Sequence, residues 1–357
     1  MSHLDTLKAR FSEIYDLNAA ASLLSWDQET YMPPGGGDSR SRTLGTLSRL
    51  AHEMSTSPEF ARLLEAAEQE SQHAEPDSDE ARLLWWARRD FERASKLPAS
   101  FVHELTETSS LATQVWQVAR ADDDFERFAP WLEKLVGLQR RMAEYIGYTE
   151  HPYDALLDQY EPDVTFAEAS AIFDELRAET VPLVHRIAEH ADAVDDSPLH
   201  QPFDEAKQWE LAHHVTALVG YDYERGRLDP TTHPFCSTIN QGDVRITGRV
   251  EADFFNPLFF GSLHEAGHAI YEQGLPKHLA RTPIGESVST AMHESQSRLW
   301  ENILGRSHSF WEFYYPHVQE TFPEALGKVP LDAFYRAINK VEPTLIRVEA
   351  DEVTYNL

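Results

Sequence analysis

The sequence predicts a mainly α-helical protein with one small β region. Most of the chain carries apolar residues at the three- and four-residue spacing of amphipathic helices. Only residues 229–250 combine proline and glycine breaks with short apolar alternation, which is typical of strands. With 357 residues, of which 41% are hydrophobic, the chain is long enough to bury a large core as one large domain or two lobes.

Amphipathic patterns predict helices in order along the chain. The first covers Leu4 to Leu24, and the Pro and Gly cluster at 33–37 prevents its continuation. Further helices are predicted at 39–54, 79–94, 100–122, 128–146, 166–191, 205–219 and 258–273. The glutamate-rich stretch 65–75 is predicted to be a solvated face or a loop, and the polar stretch 192–202 is the best internal boundary.

Composition excludes several classes of function. The chain has 60 acidic against 31 basic residues, a net charge of −29, which argues against nucleic-acid binding. No apolar run reaches the roughly 20 residues of a membrane span, and the polar N-terminus lacks a signal pattern, so we expect no membrane association and a cytoplasmic protein. The single cysteine, Cys236, permits no intramolecular disulfide and no cysteine-based zinc site, and is expected to be a semi-buried apolar residue.

The segment His264-Glu265-Ala266-Gly267-His268 falls on the predicted helix 258–273. Four residues bring the two histidines to within about 40° of one another on the helix, one turn apart. The pattern predicts two neutral nitrogen ligands for a zinc-type metal. Glu265 is then the base that binds the attacking water rather than the metal.

A third ligand is predicted on a separate helix after Gly285. Glu294 completes the two-histidine and one-glutamate set that leaves a coordination position open in catalytic zinc sites. Glu286 and Glu301 are rival carboxylates, but both are expected to lie on solvated helix faces.

Several ordered motifs resemble those of the carboxypeptidase Taq family of metallocarboxypeptidases. Besides the metal helix, they are Leu24-Ser25-Trp26-Asp27-Gln28-Glu29-Thr30-Tyr31-Met32-Pro33, Tyr153-Asp154-Ala155-Leu156-Leu157-Asp158 with Tyr160-Glu161-Pro162, His233-Pro234-Phe235, Asp243-Val244-Arg245-Ile246-Thr247, His293-Glu294-Ser295-Gln296 and Glu349-Ala350-Asp351-Glu352-Val353-Thr354-Tyr355-Asn356. The His-Glu-x-x-His motif alone is moderately specific, whereas the ordered set is highly specific.

The resemblance implies a mainly helical, two-lobed metallopeptidase with a deep groove, similar to neurolysin and angiotensin-converting enzyme. Residues 1–357 would form a single catalytic domain, with a mostly helical part at 1–200 and a metal-binding part at 201–357. It also implies removal of C-terminal residues from peptides with broad preference, a homodimer, and zinc or cobalt as the metal. His264, His268 and Glu294 would be ligands and Glu265 the general base.

The resemblance also places Asp243 and Arg245 at the substrate end of the groove, and His233 belongs to a family motif. Arginine suits a peptide's terminal carboxylate through its planar fork, so Arg245 is our candidate receptor. A structural salt bridge from Arg245 to Asp243 or another acid is an equally good interpretation. His293 or a nearby tyrosine is a candidate donor to the oxyanion. Asp351 could orient a ligand histidine or be an exposed acid.

The chain ends inside a run that continues in the family, so we expect it to lack the family's C-terminal segment, either as a fragment or as a shortened protein. Two alternatives to a carboxypeptidase remain. The first is an endo- or oligopeptidase on the same scaffold. The second is a metal-binding protein that holds peptides without turnover, against which Glu265 argues because a purely structural site needs no base.

Overall fold

The computed structural model describes residues 2–342 and Val353, which form thirteen α-helices and one three-stranded sheet. The prediction of a mainly helical protein with a single small β region is confirmed. Within these described residues, no helix is both long enough and apolar enough to cross a membrane.

The chain divides into two compact units. The first comprises Met1–Phe166, Thr238–Gln241 and Leu275–Ser289. The second comprises Ala167–Ser237, Gly242–Gly274 and Thr290–Leu357.

The first unit is a helical assembly around two apolar clusters. One cluster joins Leu7, Phe11 and Phe60, and the other joins Phe101 and Leu138. Its helices are α1 (His3–Thr30), α2 (Gly37–Ser55), α3 (Pro58–Glu70), α4 (Asp79–Ala94), α5 (Ala99–Ala121), α6 (Phe125–Ile146) and α7 (Pro152–Leu157).

Helix α3 decides how the glutamate-rich stretch is folded. The Ser57 side chain caps it by accepting a hydrogen bond from the Phe60 amide at 3.0 Å, and Pro58 occupies its first turn. Phe60, Leu64 and Ala67 recur on one face and are buried. Because that face is packed, the helix continues to Glu70, and the glutamates of 65–70 lie on its less buried side, whereas residues 71–75 follow as a turn.

The second unit contains the remaining α-helices, apart from one residue, and most of the sheet. Its helices are α8 (Phe166–Ala188), α9 (Glu205–Leu218), α10 (Asn256–Gly274), α11 (Thr290–Arg298), α12 (His308–Thr321) and α13 (Leu331–Ile338). The strands are β1 (Leu228–Pro230), β2 (Cys236–Asn240) and β3 (Asp243–Gly248), in the order β1-β3-β2. The helical residue outside this unit is Phe166 of α8, and of the sheet the unit contains strands β1 and β3 together with the first two residues of β2. Strands β1 and β3 are parallel, with Leu228 opposite Ile246 and Pro230 opposite Gly248.

Helix α10 lies in the centre of the second unit. Phe259 packs on one side against an aromatic core that includes Phe255 and the fully buried Trp311, whose ring centroid is 5.3 Å from that of Phe259. On another side, Leu258 and Ala266 pack in a cluster with the strand residues of the sheet. The helix is therefore buried along most of its length, which makes its polar residues exceptional.

The contact between α10 and α11 leaves no room for a side chain at Gly267. A Cβ atom there would lie 2.6 Å from the carbonyl oxygen of Gln296 and 2.6 Å from the Cα of Ser297. Both are backbone atoms, so they cannot turn aside as a flexible side chain would. Glycine at this position therefore sets how closely the two helices approach.

We expect Gly267→Ala to lower the free energy of unfolding by about 1–3 kcal/mol, because overpacking forces the two backbones apart. Gly274→Ala is the matched control at the end of the same helix, where a Cβ meets no atom within 4 Å. Its effect should stay below about 1 kcal/mol and can be stabilising. Urea unfolding of both variants measures the difference, and equal stabilities would contradict the packing argument.

Candidate metal centre

Helix α10 brings two histidines to one point of its surface. His264 and His268 are one turn apart, and their ring centroids lie 4.9 Å from one another with the ring planes at 80°. His264 is 4% exposed, and the His268 side chain is 13% exposed. Imidazole rings buried in this way require polar partners.

Glu294 on α11 supplies a carboxylate that faces the Nε2 atoms of both rings. Its Oε2 atom lies 3.4 Å from His268 Nε2 and 3.8 Å from His264 Nε2. One ligand atom from each of the three residues lies within 4.8 Å of the others. The structure thus brings together the three side chains that the sequence predicts as metal ligands.

This set fits a zinc-type ion. Zinc bonds to histidine nitrogen and carboxylate oxygen measure about 2.0–2.2 Å, which places ligand atoms about 3.3–3.6 Å apart around a tetrahedral ion. The separations of 3.4 Å and 3.8 Å from Glu294 Oε2 lie close to that range. Two nitrogens and one carboxylate are also the donor set of catalytic zinc sites, which keep a fourth position open.

Hydrogen bonds on the far side of each ring fix which nitrogen faces the site. His264 Nδ1 lies 2.9 Å from Glu301 Oε2, and His268 Nδ1 lies 3.1 Å from the backbone carbonyl oxygen of His293. Carboxylate and carbonyl oxygens accept hydrogen bonds, so Nδ1 donates in both rings. The Nε2 atoms are therefore the ones that face Glu294.

The expectation that Glu301 lies on a solvated face is wrong. It is fully buried, at 0% exposure, and contacts Arg298 and Arg306 as well as His264. Two arginines compensate its charge, so the carboxylate can be buried without the cost of an unpaired charge. The flanking arginines are the only local signal in the sequence. By contrast, Glu286 is exposed as expected.

Burial shapes the electrostatics of the site. It raises the pKa of Glu265 to about 7; His264 lowers that pKa, and Glu294 and Glu301 raise it. Burial lowers the pKa of His264, but the hydrogen bond with Glu301 and the carboxylates around the ring outweigh it and raise the pKa to about 9. Burial also lowers the pKa of His268. A carboxyl group that titrates near neutrality suits general acid–base chemistry.

Strand β3 carries Asp243 and Arg245 on the same face. The two side chains form a bidentate ion pair, in which Arg245 Nε and Nη2 each lie 2.7 Å from an oxygen of Asp243. The Arg245 side chain is 16% exposed. The salt bridge proposed for this arginine is therefore present, and the question whether Arg245 also receives a substrate carboxylate stays a prediction.

The motif that contains His233 lies against the same strand. The Phe235 amide donates to the Thr247 side chain at 2.8 Å, and the Thr247 amide donates to the Phe235 carbonyl at 3.0 Å. His233 itself is exposed. One predicted substrate-side motif thus lies on β3, and the other is hydrogen-bonded to that strand.

His293 lies beside the ligands rather than apart from them. Its Nε2 is 2.9 Å from Glu272 Oε1, and its Nδ1 is 2.5 Å from His268 Nδ1. Its ring stacks on that of His268 at a centroid distance of 4.4 Å. Both ring nitrogens of His293 therefore have near neighbours. Asp351, predicted to orient a ligand histidine, lies outside the described residues.

Comparison with curated proteins finds carboxypeptidases. "Thermostable carboxypeptidase 1" of Thermus thermophilus is 44% identical over 351 residues, which cover 96% of this chain and 68% of that protein. "Carboxypeptidase 1" of Bacillus subtilis is 39% identical over 338 residues, covering 95% of this chain and 67% of that protein.

Comparison with solved structures agrees. The Pyrococcus furiosus carboxypeptidase superposes with a TM-score of 0.87 at 37% identity, covering 100% of this chain and 71% of that one. The family profile described as carboxypeptidase Taq (M32) metallopeptidase matches residues 6–357. The chain has a donor set suited to a metal, is 44% and 39% identical to two curated carboxypeptidases, and matches the family profile along nearly its whole length. It therefore belongs to the carboxypeptidase Taq (M32) family of metallopeptidases.

Proposed function

We propose that this protein is a metallocarboxypeptidase that removes C-terminal residues from peptides with broad preference. One observation carries the proposal: the convergence of His264, His268 and Glu294 beside the buried Glu265. The relatives that are named carboxypeptidases support cleavage from the C-terminal end of the peptide.

We propose zinc as the metal, held by His264, His268 and Glu294, with cobalt as a possible substitute. The mixed nitrogen and carboxylate donors favour zinc over magnesium or calcium, which prefer oxygen ligands. When bound, such an ion acidifies a water molecule and polarises the carbonyl of the scissile bond.

In this proposal Glu265 moves the proton. It follows His264 directly on α10, is 4% exposed, and has a pKa raised to about 7 by burial. In the proposed site this carboxylate accepts a proton from the attacking water and returns it to the leaving amine. Because Glu265 is outside the ligand set, its oxygens remain available for this transfer.

Substrate contacts are proposed for the residues around this centre. Arg245 would receive the terminal carboxylate, and Asp243 would hold its guanidinium in place through the bidentate pair at 2.7 Å. His233 would contact the substrate from the segment that is hydrogen-bonded to the same strand. His293 would act on the developing oxyanion, although its ring nitrogens already face Glu272 and His268.

We also propose, from the family resemblance, that the protein works in the cytoplasm and that two copies form a homodimer. Light scattering after size-exclusion chromatography should give twice the mass of one chain. A mass equal to one chain at micromolar concentration would contradict the dimer.

Glu265→Gln should separate chemistry from metal binding. We expect kcat to fall about 10²- to 10⁴-fold, because the amide cannot accept the proton. The zinc content should stay unchanged, since Glu265 is not one of the three proposed ligands. Metal analysis and hydrolysis of a free-acid peptide measure both quantities.

In wild type, 1,10-phenanthroline should abolish hydrolysis and zinc should restore it, whereas the non-chelating 1,7 isomer should have no effect. Activity that survives in the Glu265→Gln variant, or in wild type freed of metal, would overturn the proposed mechanism.

Arg245→Ala should weaken binding only of peptides with a free carboxylate. In the Glu265→Gln background, where bound peptide is not consumed, calorimetry can compare a peptide with its C-terminal amide. We expect the Kd of the free acid to rise about 10- to 100-fold through loss of a charge-assisted hydrogen bond, with little change for the amide.

Arg227→Ala is the matched control for Arg245→Ala. Arg227 forms the same kind of bidentate pair with an aspartate two residues away, Asp229, but its side chain is 51% exposed. We expect no effect of this change on either peptide. Equal losses for acid and amide in Arg245→Ala would exclude Arg245 as the carboxylate receptor.

A further inference from the structure

Glu301 is a buried carboxylate that stands outside the three proposed ligands. It is 0% exposed, and its nearest polar neighbours are basic. His264 Nδ1 lies 2.9 Å from its Oε2, Arg298 Nη1 lies 3.3 Å from the same oxygen, and Arg306 Nη2 lies 3.5 Å from Oε1. A carboxylate buried to this extent requires such compensation.

We propose that Glu301 is a positioning residue for the metal, which aims His264 into the site, and that Arg298 and Arg306 hold Glu301 in place. The inference deepens the proposed function and rests on it, because it assumes that His264 is a ligand. It assigns a role to a side chain that the sequence places on a solvated helix face.

The first argument is the orientation of one ring between two carboxylates. His264 Nδ1 donates to Glu301 at 2.9 Å, while Nε2 on the opposite edge faces Glu294 Oε2 at 3.8 Å. In the neutral ring that binds a metal, donation at Nδ1 leaves the lone pair on Nε2. A carboxylate at this position both fixes the ring and increases the basicity of the ligating nitrogen.

The second argument is the backbone that carries the two glutamates. Glu294 and Glu301 are seven residues apart, about two helical turns, so they lie on similar sides of one continuous helical segment. Its last part, Leu299–Leu304, is a π-helix, and the wider turn changes the direction in which Glu301 points. Short π-helical turns of this kind are frequent at functional sites.

The third argument is that the ion pairs of Glu301 with Arg298 and Arg306 lead into the main core rather than to the surface. The Arg306 guanidinium lies 4.0 Å above the Phe260 ring, and Phe260 is one turn before His264 on α10. Arg306 also donates to the carbonyl oxygen of Ile338, at the end of α13. The position of Glu301 is therefore set by the same packing that sets α10.

The two proposed ligand histidines are supported differently. His268 Nδ1 faces groups of His293, the carbonyl oxygen at 3.1 Å and the ring Nδ1 at 2.5 Å, whereas an ionisable carboxylate accepts from His264. A charged acceptor forms the stronger hydrogen bond. We therefore infer that His264 depends on its outer partner more than His268 does.

Two substitutions separate the geometry of Glu301 from its charge. Glu301→Asp keeps the charge beside the two arginines but withdraws the carboxylate by one methylene from His264 Nδ1. Glu301→Gln keeps the length and removes the charge. Each should weaken zinc binding about 10- to 100-fold, measured by competition with a chelator of known affinity.

Asp229→Asn is the matched control. Asp229 on β1 is also a buried carboxylate, at 3% exposure, and is paired with Arg227, but it is not among the proposed ligands or their outer partners. It controls for the general effect of neutralising a buried acid. We expect its zinc affinity to stay within about twofold of wild type, whatever its effect on stability of the metal-free protein.

A spectroscopic readout distinguishes positioning from a purely structural role. In the cobalt-substituted protein, the visible absorption bands report the arrangement of ligands around the ion. We expect the bands to shift in Glu301→Asp and to remain unchanged in Asp229→Asn. Unchanged bands and unchanged zinc affinity in Glu301→Asp, with only a loss of stability, would overturn the inference.

The wild-type protein provides a test that does not depend on folding of a variant. In the zinc-loaded protein with ¹⁵N-labelled histidine, the His264 ring should carry its proton on Nδ1 and bind the metal through Nε2. Metal binding through Nδ1 would overturn the role of Glu301. If wild type takes up no zinc at all, the proposed function fails; if it binds zinc and the variants bind it equally well, only the present inference fails.

Discussion

The close approach of α10 and α11 at Gly267 is the constraint on which the site depends. Helix α10 supplies His264 and His268, and α11 supplies Glu294, so the distance between the helices decides whether their side chains meet. The Gly267 Cα faces the backbone of Gln296 and Ser297 so closely that any side chain would collide with it. A glycine between the two histidines thus permits the third proposed ligand to lie 3.4 Å from His268 Nε2.

The second feature is the concentration of charge in a place that water scarcely reaches. Glu265 and Glu301 are buried around His264, in a chain that already carries a net charge of −29. Desolvation disfavours ionised carboxylates, which is why the pKa of Glu265 rises to about 7. Arg298 and Arg306 offset the charge of Glu301, whereas within residues 2–342 no arginine or lysine forms an ion pair with Glu265. In our proposal, this difference leaves Glu301 fixed as a support and Glu265 able to exchange a proton.

Arginine–aspartate pairs recur in the second unit with different surroundings. Arg245 and Asp243 form a bidentate pair on β3 with the arginine mostly buried, and Arg227 pairs with Asp229 while half of its side chain remains exposed. The same local spacing therefore produces an ion pair in both cases. Burial, which limits competition from water, is what distinguishes Arg245 as a candidate for binding a carboxylate.

The sequence by itself determined the helical class, the small β region and the three residues that meet at the proposed metal site. The class, the β region and the histidine pair follow from local rules, namely helical periodicity and the four-residue spacing that places His264 and His268 on one face. Glu294, on a separate helix, follows instead from the donor set that a catalytic zinc site requires. Only the tertiary structure decided that Glu301 is buried against His264, because its burial depends on Arg306, Phe260 and a π-helical turn whose effects no local spacing encodes. It likewise decided that His293 lies against His268, since that contact joins two helices whose separation is fixed by packing at Gly267.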